Sequence, residues 1–223
     1  MGLSIYVGKL AGAKEYDPSA YQWYQDDFQQ MNKLLRAAGL SEHHEPNNCE
    51  TWNEDLYGYS GLHLLRRVAA HLHFEDKLPE PVAEEYDDGL VERYYQELSE
   101  ENHGMFSYVS SGLFDHLIFH SDAEGYYLPV DFERVFFVPE EPEIPGSFLG
   151  SVQQLYKECE RLAEALQIPE EIDVGSQALW KATESQGEGQ TQWERYGMES
   201  HSCVVLCAAC EHALEHEAAI VFG

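Results

Sequence analysis

Helical and strand-like patterns occur mixed along this chain of 223 residues, and the mixture is what most constrains its fold. An amphipathic helix is predicted between Asp17, a capping residue followed by Pro18, and Gly39, because apolar residues recur there at spacings of three and four. Short apolar runs at residues 3–10 and 218–222 are typical of β-strands. Since strands and helices do not alternate regularly and no repeat is visible, the pattern favours an α+β fold over a doubly wound one.

The length and the 43% content of hydrophobic residues suit one sizeable core. We therefore expect a single α+β domain over residues 1–223, in which a small mixed or antiparallel sheet packs with about five helices. A second helix is predicted to begin at Ser60, and further helices at residues 86–98, from 146–151 to Leu166, at 177–183 and at 201–215. Central strands are predicted at 114–119 and 134–138, a long loop at 41–59 and a flexible loop at 184–192.

The connection between the two predicted central strands concentrates polar side chains around the hinge residue Gly125. Loops held by a rigid frame are where binding and catalytic groups usually lie. The candidate binding residues are His120, Asp122, Glu124, Tyr126, Tyr127 and Asp131. A carboxylate beside His120 would suit proton transfer or a hard metal ion. The alternative is that Asp122, Glu124 and Gly125 are ordinary turn residues. No motif identifies a reaction, so catalytic residues stay unassigned.

Three of the five cysteines, Cys203, Cys207 and Cys210, have the spacing with which radical-SAM enzymes hold an iron–sulfur cluster. They lie, however, in a segment with helical character, where they share one stripe, and Cys203 and Cys210 would be roughly 10 Å apart along the axis. We predict buried, reduced thiols instead. His212 and His216 are weak metal candidates because they lie one helical turn apart. No cofactor or metal is expected.

The balance of acidic and basic residues limits the classes of partner that the chain can bind. With 41 acidic and 13 basic residues, its formal net charge is −28. This excess excludes nucleic acid and anionic membranes as expected partners, since phosphate contacts need clustered Lys and Arg. No apolar run is long enough to span a membrane, and a cytoplasmic location is expected. Three explanations of the acid excess stay open: a solubilising surface, a salt-adapted source, or a surface that meets a basic protein.

Residues 120–132, the Gly-Ser segment at 146–151 and the apolar C-terminal end resemble small uncharacterised bacterial proteins, some of which have toxin-immunity functions. The resemblance implies a binding protein and no catalytic residues. Together with the charge and the many tyrosines, it favours an acidic interaction module of immunity or inhibitor type that binds a basic partner. The alternative is a small hydrolase or metal-assisted enzyme with its site at residues 120–131. The sequence leaves the oligomeric state open.

Overall fold

The computed structural model describes residues 3–82 and 88–223. Over these residues the chain forms nine α-helices and eight strands. The helices are α1 (Lys9–Tyr16), α2 (Pro18–Ala37), α3 (Gly58–Glu75), α4 (Leu90–Gln96), α5 (Asp115–Ile118), α6 (Val152–Leu166), α7 (Gln177–Glu184), α8 (Gln192–Arg195) and α9 (Gly197–His216). The strands are β1 (Ser4–Val7), β2 (Trp52–Asp55), β3 (Ser99–Asn102), β4 (Ser107–Ser110), β5 (Gly125–Leu128), β6 (Val135–Phe137), β7 (Phe148–Ser151) and β8 (Ile220–Phe222). A short 3-10 helix covers Pro145–Ser147.

All eight strands join one sheet in the order β2-β1-β8-β5-β7-β6-β4-β3. Neighbouring strands are antiparallel except β5 and β7, which pair in parallel. The predicted α+β class and the mixed sheet are therefore confirmed. The sheet is larger than the small one expected, and the helices outnumber the five expected, because several elements are too short to leave a periodic pattern in the sequence.

Helices cover both faces of the sheet, so its central strand is buried on each side. In β5, Tyr127 packs into a core formed with α3, α6 and α9, whereas Tyr126 and Leu128 pack into a second core that contains the apolar face of α2. This alternation is the period of two that side chains follow along a strand. Both tyrosines are fully buried, so residues predicted as part of a tight connection between two strands lie in the centre of the fold.

The helix that is clearest in the sequence forms as predicted. The Asp17 carboxylate accepts hydrogen bonds from the backbone N–H groups of Ser19 and Ala20, which satisfies two donors that α2 leaves unpaired at its start. The helix predicted at 201–215, the helix at 177–183 and the strands at 134–138 and 218–222 are also confirmed. The helix predicted at 86–98 begins outside the described residues, and α4 lies within its remainder.

The strand predicted at residues 114–119 is wrong, because this segment forms the single helical turn α5. The buried Glu158 carboxylate accepts hydrogen bonds from the backbone N–H groups of His116 and Leu117, at 3.0 and 2.8 Å. The Asp115 carboxylate accepts two more from the backbone just before the turn. The tertiary hydrogen bonds to Glu158 and the local ones to Asp115 together favour the helical turn over the β-conformation that the apolar residues prefer locally.

Three further differences have local causes. The helix predicted to begin at 146–151 starts at Val152, because β7 uses Phe148–Ser151 to pair with β5 and β6. Ser151 then caps α6 by accepting from the N–H of Gln154. The predicted first strand ends at Val7 and is followed by α1, and the predicted loop at 41–59 contains β2. The mobility of residues 184–192 stays a prediction.

Among the described residues, no helix combines the length and the apolar character that a membrane span requires.

Candidate functional site

A cleft of about 690 Å³ lies between α2, the residue that precedes β5, and the connection from Val138 to Ser147. Six carboxylates line it: Asp26, Asp27, Glu124, Glu140, Glu141 and Glu143. Among the described residues that line the cleft there is no Lys, Arg or His. We call this surface the acidic cleft. Its charge is uncompensated within its own walls, so it attracts cations.

Two segments carry five of the six carboxylates. On one wall, α2 presents Asp26, Asp27 and Trp23 within little more than one turn. On the other wall, the connection 138–147 presents three glutamates between prolines, which restrict the backbone. The ends of this connection are joined by a hydrogen bond of 2.8 Å from Val138 N to Ser147 O. The hydrogen bond and the prolines restrict the backbone of this wall.

Asp27 lies at the centre of this charge and is only 8% exposed. Its carboxylate accepts a hydrogen bond of 2.6 Å from the buried Tyr126 hydroxyl, which joins α2 to β5. Burial raises the pKa of Asp27, the Tyr126 hydrogen bond opposes this rise, and the negative charges of Asp26, Glu143 and Glu124 add to it. The cleft thus holds a buried carboxylate among like charges, an arrangement that destabilises the free protein.

An exposed aromatic ring completes the cleft. Trp23 lines it and remains 54% exposed, although its ring lies 4.9 Å from that of Tyr24. Large exposed aromatic side chains are concentrated at binding surfaces. An indole face beside carboxylates suits a guanidinium group in particular, since that group stacks on aromatic rings and also donates to oxygen.

Most of the arginines are neutralised elsewhere by their own neighbours. Five of them form ion pairs: Arg36 with Glu42, Arg66 with Asp122, Arg67 with Asp88, Arg93 with Glu97, and Arg134 with Glu101. Arg66 and Arg67 are buried as well. These cations therefore offset carboxylates outside the cleft and leave its own field intact.

His120 is a buried residue whose contacts are structural. Its side chain is buried, with Nδ1 at 3.1 Å from Ser121 O and Nε2 at 3.2 Å from Tyr126 O, and its ring stacks on Tyr127 at 4.0 Å. Burial lowers the pKa of His120 to about 4, so the imidazole is neutral at pH 7. Gly125 has a φ of 125° and passes so close to this ring that a Cβ atom would lie 2.8 Å from it.

The other predicted binding residues lie in different environments and do not form one site. Asp122 binds Arg66 and, at 2.9 Å, His63; these partners hold its pKa well below the usual range. Asp131 is exposed and accepts from the Gln154 side chain. The Tyr127 hydroxyl donates to His116 O, and only Glu124 and, through Asp27, Tyr126 belong to the acidic cleft. The structure does not bring His120, Asp122 and Asp131 together as one acid–base or metal site.

The predicted burial of the thiols is confirmed for Cys203 and Cys210, while Cys207 is half-buried. The His212 and His216 rings lie 4.3 Å apart, and His212 Nε2 is 3.1 Å from Glu50 O. Within residues 3–82 and 88–223, no group of three or more His, Cys, Asp and Glu side chains has a geometry suited to a metal ion.

Sequence reasoning missed most of the acidic cleft. Asp26, Asp27 and Trp23 look like ordinary surface positions of an amphipathic helix, and only the three glutamates between prolines at 139–145 form a local signal. The cleft unites segments more than 90 residues apart, as the Tyr126–Asp27 hydrogen bond shows. Nothing local in the sequence indicates that these segments meet.

Comparison with known proteins gives one match. A family model described as "Putative DNA-mimic protein" matches residues 1–222, nearly the whole chain. No curated protein and no solved structure matches. The match does not support the expected resemblance to toxin-immunity proteins, and it replaces that expectation. The extent of the match shows that this chain belongs to the family with that description.

Proposed function

We propose that this protein binds a basic, DNA-binding protein through the acidic cleft and occupies the surface that would otherwise contact DNA. The observation that carries the proposal is the cleft itself, where six carboxylates meet without a basic side chain among the described residues that line it. Proteins that bind duplex DNA meet it largely through Lys and Arg contacts to phosphates. The carboxylates of the cleft offer those Lys and Arg side chains negative charge, as the phosphates of DNA do.

The family match and the charge support the same partner class. The family is described by DNA mimicry, and the net charge of −28 repels nucleic acid while it attracts basic proteins. Association should therefore be fast and should weaken as salt rises, because the charges that steer the partners are screened.

Trp23 and Asp27 add chemical selectivity to the cleft. The exposed indole and the buried carboxylate line one wall, so an arginine of the partner can stack on the ring and donate to the oxygen. Lysine offers a compact charge without a planar face and fits this pair less well. The proposal therefore includes an arginine of the partner at the centre of the cleft.

The test uses three baits on affinity resin. The first is the native chain. The second is the cleft variant, Asp26→Asn, Glu140→Gln, Glu141→Gln and Glu143→Gln. The third is a control variant with the same change of charge at exposed positions outside the cleft, namely Glu160→Gln, Glu164→Gln, Glu171→Gln and Glu188→Gln.

Each bait is incubated with lysate of the source organism, and bound proteins are eluted with duplex DNA and identified by mass spectrometry. We expect a DNA-binding protein that the native chain and the control variant retain, that duplex DNA displaces and that the cleft variant loses. If the retained proteins resist displacement by DNA, mimicry is refuted. If the cleft variant retains them as well as the control variant does, the assignment of the cleft is refuted.

A further inference from the structure

Another concave surface, of about 460 Å³, lies between the segment that follows α2, the segment that follows β5 and the end of α9. We call it the His43 depression. Three exposed carboxylates line it, those of Glu42, Asp131 and Glu217. Over the described residues its lining includes no Lys or Arg, and Arg36 reaches Glu42 at 2.8 Å from outside the lining. The His43 depression therefore has a negative potential of its own.

The end of α9 adds to this potential. Glu217 is the C-cap of this helix of 20 residues, so the last carbonyl groups of α9 lie beside the His43 depression. They carry the negative end of the helix dipole, where cations are favoured. Carboxylates and a helix end attract any cation, however, and a buried side chain must supply the chemical selectivity.

His43 is that side chain. It lines the depression and yet is only 6% exposed. Its Nε2 lies 2.6 Å from Glu45 Oε2, an oxygen that also accepts a hydrogen bond of 2.8 Å from the Ala219 N–H. Because this oxygen is an acceptor, the hydrogen of the neutral His43 ring lies on Nε2. The Nδ1 atom then carries a lone pair and is itself an acceptor.

The His43 Nδ1 atom faces the depression. It has no hydrogen-bond partner in the part of the chain that the structure describes, and it is not sealed from solvent as Glu45 Oε1 is. The ring is held from three sides, by Glu45, by two hydrogen bonds of 2.8 Å between Asn32 and the His43 backbone, and by the Phe28 ring, which meets it edge-on at 5.7 Å. A buried imidazole is thus fixed with one unused acceptor towards a negatively charged cavity.

We propose that the His43 depression binds an organic ammonium or guanidinium group, which donates to His43 Nδ1 while the surrounding carboxylates balance its charge. Such a group combines a positive charge with several N–H donors, which match the acceptors of the depression. A bare metal ion fits less well, because no group of three or more His, Cys, Asp and Glu side chains among the described residues has a geometry suited to one. The cation belongs either to a free amine or to a side chain of a protein. This inference does not rest on the function proposed for the acidic cleft.

The probe is agmatine, which has a guanidinium group at one end and an ammonium group at the other. The native chain, labelled with nitrogen-15, is titrated with agmatine at pH 7 and constant ionic strength, and NMR follows the ring nitrogens of its histidines. We expect the hydrogen on Nε2 of His43 in the free chain and a saturable shift of the His43 Nδ1 signal as agmatine is added. The described lining of the acidic cleft contains no histidine, so this signal reports the His43 depression.

Two controls separate this site from general effects of charge. Tetramethylammonium is a cation without an N–H donor, so it should leave the His43 Nδ1 signal in place. The double variant Asp131→Asn and Glu217→Gln should bind agmatine about fivefold more weakly, because two exposed ion pairs are lost. Glu160→Gln with Glu164→Gln makes the same change of charge at exposed positions outside the depression and should leave the affinity nearly unchanged.

A blocked peptide with a single arginine, acetyl-Gly-Arg-Gly-amide, distinguishes the two sources of the cation. A shift of His43 Nδ1 with both the peptide and agmatine assigns a protein side chain as the ligand, and a shift with agmatine alone assigns a free amine. The proposal is overturned if neither compound shifts the signal, if tetramethylammonium shifts it equally, or if the hydrogen of the free chain lies on Nδ1. These measurements use the native chain, so they do not depend on whether a variant folds.

Discussion

Asp27→Asn should stabilise the free protein while it weakens binding of a basic partner. The substitution removes the buried charge of Asp27 but keeps a side-chain oxygen that can accept the Tyr126 hydrogen bond. It therefore removes the cost of burying a charge and also relieves the repulsion from Asp26, Glu143 and Glu124. Stability that increases when function is lost is typical of a binding surface that is kept in spite of its cost to the fold.

The size of the effect follows from the three negative neighbours. With the value for a like-charged pair on a helix surface, roughly 0.2–0.5 kcal/mol, relief from three neighbours is worth about 1 kcal/mol. For a chain of this length, 1 kcal/mol shifts the melting temperature by about 2–4 °C. The pKa of Asp27 is raised above its ordinary value of 3.8, so the acid form is favoured in the fold. The cost of the charge is therefore absent below that value and grows as pH rises through the raised pKa.

Thermal unfolding of both chains at pH 7 and pH 4, each at low and high salt, tests this reasoning. We expect the variant to melt higher at pH 7 and low salt, and the difference to shrink at pH 4 and in high salt. Asp131→Asn is the matched control, because Asp131 is exposed, and its effect should stay within about 0.5 kcal/mol. If Asp27→Asn is less stable than the native chain at pH 7, the conclusion that neighbouring negative charges destabilise Asp27 is refuted.

Three other outcomes are expected. The cleft variant should bind the captured partner about 30-fold more weakly than the native chain, since four exposed ion pairs at about 0.5 kcal/mol each amount to about 2 kcal/mol; titration calorimetry with the control variant alongside measures this. Arg66→Met should lower the free energy of unfolding by about 2–4 kcal/mol in urea titrations, because the buried carbonyl groups of Leu117 and His120 lose their donor. Burial raises the pKa of Glu199 to about 7, so its acid form stabilises the fold below its ordinary pKa of 4.5, and up to about 3 kcal/mol is lost as pH rises through 7. Glu199→Gln should flatten this pH dependence in urea titrations, and an unchanged profile would contradict the assignment.

Local sequence signals predicted the elements that are stabilised locally. Asp17 caps α2 through its own neighbouring backbone, so the capping pattern was sufficient to place that helix. The helical turn α5 was missed because Glu158, which stabilises it, follows more than 40 residues later. Without that information, the apolar residues between 114 and 119 predict a strand. The strand β5 was hidden for a related reason, since its pairing with β7 and β8 is not visible in the order of its own residues.

The candidate site shows the same limit. The sequence predicted the sign of the partner's charge, because a net charge of −28 does not depend on the fold. It could not predict the acidic cleft, because Asp27, Glu124 and Glu143 line one surface only after α2 packs on the sheet. The chosen cluster at residues 120–131 contained one cleft residue, Glu124, and one supporting residue, Tyr126, among side chains that serve other contacts.

The distribution of charge bears on why the chain is so acidic. A solubilising surface or a salt-adapted one needs carboxylates only where water and ions can solvate them. Asp27 is instead buried, and it lies beside other carboxylates although several arginines are available and pair elsewhere. Folding alone does not favour this placement, since an amide would accept the Tyr126 hydrogen bond without repulsion. A partner that brings positive charge to the cleft would turn this unfavourable electrostatic interaction of Asp27 into a favourable one. The placement of Asp27 therefore favours a basic partner over the other two explanations.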